Sequence, residues 1–288
     1  MNATDEQAKL WNGTAGSAWI EAQDVLDRLY KPFETLLVDA VTAAGSRSRV
    51  LDVGCGTGGT TIAIARQLGP ASHCLGVDIS EPMIAAARAR SEREQVPSQF
   101  VVANAQTYAF EPASLDTIVS RFGVMFFDDS VAAFANLRRA ATDDAVLRVI
   151  TWRKPEDNAF MTTAERAALP LLPTLPPRKP DAPGQFAFAN DQRVANILRE
   201  SGWADVDIQP IDVECTMPEP ALVPYLTRFG PVGRVFGDLD EETRSKVIAT
   251  ARAACDPYVH GNEVRFIAGC WMVSARGTFI PGATRRSG

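Results

Sequence analysis

Short apolar runs alternate with longer amphipathic stretches from residue 50 onward. The runs are typical of buried strands and read VLDV from Val50, CLGVDI from Cys74, QFVVANA from Gln99, LDTIVSRFG from Leu115 and AVLRVITW from Ala145. Three predicted helices separate them, and their sequences are TTIAIARQLG, EPMIAAARARSERE and VAAFANLRRAA. Gly69 is predicted to end the first helix, Ser80 to cap the second, and Asp129 or Ser130 to cap the third. This alternation predicts a mostly parallel sheet with helices on both faces.

The two ends of the chain have a different pattern. An apolar stripe predicts a helix from about Ala18 to Ala44, which Pro32 is expected to kink or split. After Trp152 a helical piece leads into 170–184, where the density of proline predicts an extended connection. The helix DQRVANILRESG and the strand DVDIQPIDVE then restore the alternation, and a mostly helical stretch precedes a last strand, EVRFIAGCWMVSARG.

We therefore predict an α/β fold, a doubly wound (Rossmann-like), mostly parallel seven-stranded sheet with an N-terminal helical lid and inserted cap segments. The predicted segments are the lid (1–44), the core (45–152), a proline-rich cap insertion (153–190), a core helix and strand (191–216), a helical cap insertion (217–260), the last core strand (261–277) and a tail (278–288).

Composition narrows the classes of function. The 288 residues are 46% hydrophobic and carry a net charge of -6, which argues against nucleic acid as a partner because such proteins usually present a basic face. The start of the chain is polar and acidic and no apolar run approaches about eighteen residues, so we expect a cytoplasmic protein without a membrane span. The sequence does not decide between a monomer and a homodimer.

The five cysteines show no spacing typical of metal ligands. They are predicted to be small buried residues in a reducing compartment, and no metal site is expected.

A glycine-rich loop follows the first predicted strand. Gly54, Gly56 and Gly59 spell G-x-G-x-x-G, and Asp78 follows about twenty positions later, which is the form of a dinucleotide fingerprint. Asp52, however, ends the strand, and at roughly 4 Å a carboxylate and a phosphate repel by about 4 kcal/mol at an effective dielectric of 20. A ligand with an ammonium and a sulfonium group would be attracted instead, and S-adenosylmethionine (SAM) carries both.

The neighbouring residues fit an adenosine ligand. Asp78 ends the second strand, where a carboxylate can accept hydrogen bonds from both ribose hydroxyls, and Ile79 and Met83 can form apolar walls for adenine. Three classes of function stay open: a SAM-dependent methyltransferase, an NAD-dependent oxidoreductase, and a protein that binds SAM without catalysis.

The motif series DVGCGTGG, VDISEPM, ANA and SRFGVMFF, within about 48–152, resembles that of class I SAM-dependent methyltransferases, especially the small-molecule branch typified by ubiquinone and menaquinone biosynthesis methyltransferases. The resemblance implies a methyltransferase with SAM as cofactor and S-adenosylhomocysteine as product. The implied cofactor contacts are Asp52, Gly54, Gly56 and Gly58 to the methionine half, Asp78 to the ribose, and Ile79, Met83, Asn104 and the amide of Ala105 to adenine. Many relatives have Asp in place of Asn104, so this residue either holds adenine or is a turn residue at the end of a strand.

Methyl transfer from SAM needs alignment of the acceptor more than a base, which becomes necessary only for an acceptor that loses its proton late. The candidate catalytic residues are His260, which the cap could bring over the site, and Arg121, after the fourth strand. Arg121 could instead bind the methionine carboxylate, an anionic acceptor or a surface carboxylate. His73 is expected to be structural.

The candidate pocket residues are mostly aromatic, which favours a small apolar or aromatic metabolite as acceptor. They are Trp11, Trp19, Tyr30, Phe122, Met125, Phe126, Phe186, Phe188, Tyr225 and Phe229. No [DNS]-P-P-[YF] motif follows the fourth strand, which lowers the expectation of a macromolecular acceptor.

Overall fold

The computed structural model describes residues 3–43, 48–172 and 182–277. Its N-terminal part consists of three helices, α1 (Ala3–Asn12), α2 (Thr14–Glu21) and α3 (Gln23–Thr42). The predicted split at Pro32 is wrong, because α3 continues through Pro32 and the break lies at Ala22, and a kink at Pro32 stays a prediction.

Burial explains why α3 continues through Pro32. Leu29, Phe33 and Leu37 are fully buried on the stripe that faces the core. Burying each of these side chains stabilises by about 1.5–3 kcal/mol, and together they exceed the cost of about 3 kcal/mol of a proline inside a helix.

One sheet forms the centre of the molecule. Its strands are β1 (Arg49–Val53), β2 (His73–Asp78), β3 (Gln99–Val102), β4 (Leu115–Arg121), β5 (Ala141–Trp152), β6 (Ala204–Pro218), β7 (Val259–His260) and β8 (Glu263–Arg276). The order is β3-β2-β1-β4-β5-β8-β6; the first five strands are parallel, and β8 runs antiparallel to both of its neighbours. The two-residue β7 pairs only with β8 and adds one strand to the seven predicted. The predicted mostly parallel α/β sheet is thus confirmed.

The helices begin and end where local signals predict. The helices α4 (Gly59–Leu68), α5 (Glu81–Glu94), α6 (Ser130–Ala140) and α8 (Asp191–Glu200) belong to the layers around the sheet. Gly69 follows α4 at φ 81°, the Ser80 hydroxyl accepts a hydrogen bond from the Met83 amide, and the Asp129 carboxylate accepts one from the Ala132 amide. All five cysteines are buried, as predicted.

The remaining helices form a cap, and they are α7 (Ala159–Ala168), α9 (Leu222–Arg228), α10 (Gly230–Phe236) and α11 (Glu241–Ala254). The helix α7 packs against α10 and α11, so the two segments predicted as cap insertions contact each other. Residues 173–181 of the predicted extended connection and the tail at 278–288 lie outside the described residues, and the division into segments stays a prediction. No helix within the described ranges is long and apolar enough to span a membrane.

The loops after β1 and β4 meet where the strand order reverses, which is the usual binding position in open α/β sheets. Gly54 has a φ of +67°, and a Cβ at this residue would lie 2.6 Å from the Gly123 Cα. Two glycines therefore allow the two backbones to approach closely at the ligand edge of the sheet.

Candidate active site

A cavity of about 580 Å³ lies at the carboxyl edge of the parallel strands. The loops that follow β1, β2, β3 and β4 form one side, and residues of α1, α2, α3, α7, α9 and α10 form most of the rest, together with Trp152 at the end of β5. This volume is in the range of sites that bind cofactors and small metabolites.

The glycine loop shapes the wall beside β1. Gly54, Gly56 and Gly58 all have positive φ values, 67°, 55° and 81°. Residues other than glycine adopt such φ values only with strain. The Gly54 amide donates a hydrogen bond to the Val77 carbonyl at 2.8 Å, which joins the loop to the end of β2. Gly54 and Gly56 line the cavity, whereas Gly58 precedes α4 and faces Phe100.

Asp78 connects two backbone segments at the cavity wall. Its two carboxylate oxygens accept hydrogen bonds from the amides of Gly56 and Ser80, each at 2.9 Å. Burial raises the pKa of Asp78, and the hydrogen bonds from the backbone oppose that rise. Because each carboxylate oxygen has a second lone pair, Asp78 can still accept hydrogen bonds from a ligand.

Asp52 occupies a different place from the one predicted. Its carboxylate is buried behind the loop, accepts a hydrogen bond from the Thr61 hydroxyl at 2.7 Å, and is not among the described residues that line the cavity. The prediction that it contacts the charged groups of a ligand directly is therefore corrected. Burial raises the pKa of Asp52 from 3.8 to about 6, although the Thr61 hydroxyl and the charge of Arg121 lower it.

The raised pKa of Asp52 predicts a pH-dependent stability. The native state binds the proton more tightly than the unfolded state, so Asp52 reduces the free energy of unfolding as pH rises from 4 to 6, by about 3 kcal/mol in total. Asp52→Asn removes this titration. The free energy of unfolding of the variant minus that of the wild type, from urea titrations, should increase by about that amount between pH 4 and pH 7. A difference that does not change with pH would contradict the assignment.

The residues predicted to surround adenine lie together. Ile79, Met83, Asn104 and Ala105 all line the cavity. The Asn104 side-chain oxygen accepts a hydrogen bond from the Gln106 amide at 2.9 Å. This contact is typical of a turn residue at the end of a strand, one of the two roles predicted for Asn104. The contact of Asn104 with adenine stays a prediction.

The N-terminal helices are joined to the β2–α5 connection by polar contacts. The Asn12 side chain accepts a hydrogen bond from the Glu81 amide at 2.9 Å and donates one to the Ile79 carbonyl at 3.1 Å. The Ser80 hydroxyl donates to the Trp11 carbonyl at 2.7 Å. These contacts hold the N-terminal helices in a position where Trp11 and Trp19 line the cavity. The sequence indicates them only through the polar residue Asn12 before Gly13.

Arg121 also lines the cavity, at the end of β4. Its guanidinium donates a hydrogen bond to the Tyr30 carbonyl at 3.5 Å and lies 5.8 Å from the centre of the Tyr30 ring. No carboxylate of the described residues lies within 4.0 Å of it in an ion pair. The placement agrees with a ligand-binding role, which remains a prediction.

Most of the predicted pocket residues line the cavity, namely Trp11, Trp19, Tyr30, Phe122, Met125, Phe126, Tyr225 and Phe229. Phe186 and Phe188 do not, and their assignment is corrected. Phe188 is fully buried, 6.1 Å from the ring of Phe134 in α6, and Phe186 packs partly buried against the main core. Both rings therefore contribute to core packing, whereas Gln185 of the same segment lines the cavity.

The predicted position of His260 over the site is also corrected. His260 is exposed at the end of the short β7–β8 hairpin, opposite Glu263, and is not among the described residues of the cavity wall. The tight turn at Gly261 directs the hairpin into solvent, so a catalytic role of His260 has no support. His73 is exposed at the opposite, amino end of β2.

Several residues of the wall are not predicted by the sequence argument, among them Gln7, Thr57, Trp152, Phe160, Met161 and Glu165. Trp152 stacks on Phe122 with ring centres 4.5 Å apart. Its position at the carboxyl end of a predicted strand is a signal that could have identified it. The residues of α7 have no such signal, because their placement depends on how the cap folds.

Comparisons with known proteins agree with this geometry. Residues 50–144 match the family described as "Methyltransferase domain". An uncharacterized protein of Mycobacterium tuberculosis is 27% identical over 60% of this chain, and the match spans 59% of that protein. A nocamycin O-methyltransferase of Saccharothrix syringae is 26% identical over 83% of this chain and 91% of its own length.

A solved structure shows the same fold. The magnesium protoporphyrin IX methyltransferase of Synechocystis, determined with bound S-adenosylhomocysteine, superposes with a TM-score of 0.58 at 14% identity and covers 96% of this chain and 100% of its own. The resemblance seen in the motif series is confirmed by the match of residues 50–144 to the methyltransferase domain, and the solved methyltransferase shares the fold of this chain.

Proposed function

We propose that this protein is a SAM-dependent methyltransferase that acts on a small, apolar or aromatic metabolite. The observation that carries the proposal is the composition of the cavity, which combines two kinds of wall. The glycine loop, Asp78 and the residues after β3 form one part, and aromatic side chains from the lid and the cap form another. A cofactor and an acceptor can therefore occupy one cavity.

The residues of the first part fit the cofactor. Asp78 offers free lone pairs to the ribose hydroxyls, the left-handed glycines leave room beside the backbone, and Ile79 and Met83 provide apolar surface for adenine. Bound SAM supplies a methyl group on a positively charged sulfur. Arg121, at the end of β4, can bind the methionine carboxylate or an anionic acceptor.

The protein contributes orientation and exclusion of water. Holding an acceptor in line with the reacting group can lower the barrier by about 7–11 kcal/mol, and the aromatic wall limits the access of water to the site. No base is assigned to the reaction, since His260 lies outside the cavity wall. The small-molecule relatives, such as the nocamycin O-methyltransferase, support an acceptor of this size. A cytoplasmic location, the absence of nucleic-acid partners and the oligomeric state stay predictions.

Calorimetric titration of the purified protein with SAM, S-adenosylhomocysteine and NAD tests this function. We expect micromolar binding of the first two ligands and none of NAD. Binding of NAD alone would overturn the proposal in favour of an oxidoreductase. Binding of SAM without a methylated product in an acceptor screen would instead favour a protein that holds SAM without catalysis.

A further inference from the structure

Two tyrosine side chains from distant parts of the chain meet in the cavity wall. Tyr30 comes from α3 and Tyr225 from the cap helix α9, and both line the cavity. One aromatic cluster links them, because Trp19 packs against both Tyr30 and Phe229, and Phe229 packs against Tyr225. The lid side and the cap side of the cavity therefore each contribute a tyrosine to the same cluster.

The surroundings of this pair are aromatic. Trp19 stacks on Tyr30 at 6.0 Å, and Phe122 lies edge-on to it at 5.6 Å between ring centres. Phe229 lies 5.2 Å from the centre of the Tyr225 ring. The two hydroxyls are thus a polar feature within apolar walls, where a hydrogen bond to a ligand contributes more than it does in water.

The hydrogen bond that Tyr225 donates has a weak acceptor. Its hydroxyl donates to the Met161 sulfur at 3.4 Å, and a thioether is a poor acceptor compared with oxygen. A ligand oxygen that replaced the sulfur would form a stronger hydrogen bond. Met161 has an unbranched, flexible side chain that can move aside.

Both hydroxyls keep their protons near neutral pH. Burial raises the pKa of Tyr30 well above its ordinary value and that of Tyr225 to about 12. They can therefore donate hydrogen bonds but do not act as bases at pH 7. Arg121, whose guanidinium lies 5.8 Å from the Tyr30 ring centre, adds positive charge close to this pair.

We propose that the hydroxyl pair of Tyr30 and Tyr225 is the polar anchor of the acceptor site and donates a hydrogen bond to the oxygen of a flat aromatic molecule, such as a phenol or its phenolate. The aromatic walls bind the ring faces, and the pair fixes the position of the oxygen. This inference deepens the proposed function and rests on it for the role of the bound molecule as acceptor.

Two probes that differ by a single hydroxyl group test the anchor. The affinities of 2-naphthol and naphthalene are measured by tryptophan fluorescence on protein saturated with S-adenosylhomocysteine, so that the probes cannot enter the cofactor part. The wild type should bind 2-naphthol about three- to tenfold more tightly, the range expected for one hydrogen bond. Tyr225→Phe should reduce this ratio to near one while leaving the affinity for naphthalene within about twofold.

Tyr258→Phe is the matched control. Tyr258 packs edge-on against Phe160 at 5.1 Å and is not among the described residues of the cavity wall, so its loss should leave the ratio unchanged. The anchor is overturned if the wild type shows no preference for 2-naphthol, if Tyr225→Phe keeps the preference, or if Tyr258→Phe removes it equally. A failure of S-adenosylhomocysteine to bind would overturn only the proposed function, because the ratio can also be measured without it.

Discussion

Asp78→Ala should weaken SAM binding by about 100-fold or more while the protein stays folded. Hydrogen bonds to a charged group contribute about 1.5–3 kcal/mol each, and the substitution removes those that the carboxylate would accept from the ribose. It also releases the amides of Gly56 and Ser80, which the carboxylate holds at 2.9 Å. Calorimetric titration with SAM measures the affinity, and circular dichroism with thermal unfolding monitors the fold.

Asp129→Ala is the control for this prediction. Asp129 likewise accepts a hydrogen bond from a backbone amide, that of Ala132 at 2.9 Å, but it caps α6 and does not line the cavity. Its replacement should reduce the free energy of unfolding by about 1 kcal/mol and leave SAM affinity unchanged. A folded Asp78→Ala protein with wild-type affinity would refute the ribose assignment.

Gly54→Ala should destabilise the protein by about 2–5 kcal/mol. The residue has a left-handed φ of +67°, which costs a residue with a Cβ about 1–2 kcal/mol. The added methyl group would also lie 2.6 Å from the Gly123 Cα, and relief of such overpacking costs about 1–3 kcal/mol. Urea unfolding measures the change, and SAM affinity should fall with it because the loop has to move.

Gly261→Ala separates the two contributions. Gly261 has a φ of +64°, close to that of Gly54, and a Cβ there would have no atom within 4 Å. Its replacement should therefore show only the conformational cost of about 1–2 kcal/mol and no change in SAM affinity. Equal destabilisation by the two substitutions would show that the close approach of Gly54 and Gly123 is unimportant.

The core of the fold was predictable because its signals are local. The apolar runs that become β1 to β5 are continuous in sequence, and Ser80, Gly69 and Asp129 end or begin helices through contacts with residues a few positions away. The residues that follow these strands meet at one edge of the sheet. The positions of Asp78 and Ile79 on the cavity wall follow from this rule.

The features that the sequence did not predict depend on packing between distant segments. Asp52 is held behind the loop because the hydroxyl of Thr61, in the next helix, donates a hydrogen bond to its carboxylate. Phe188 is buried beside Phe134 rather than in the cavity. The contribution of α7 to the cavity wall requires contact between α7 and the later cap helices α10 and α11. The helix α8 and the strand β6 separate these segments in the chain, so no local sequence pattern predicts the contact.

The places where the cap joins the sheet have a consequence for protein engineering. The chain leaves β5 at Trp152 and β6 at Pro218, and it re-enters at Glu263 of the antiparallel β8, all at the carboxyl edge. Segments of other lengths could be grafted at these joints without changing the register between β5, β8 and β6, because only the short β7–β8 pairing lies within an exchanged segment. Under the proposed function, chimeras that exchange only the cap would acquire new acceptor preferences and retain the parental affinity for SAM.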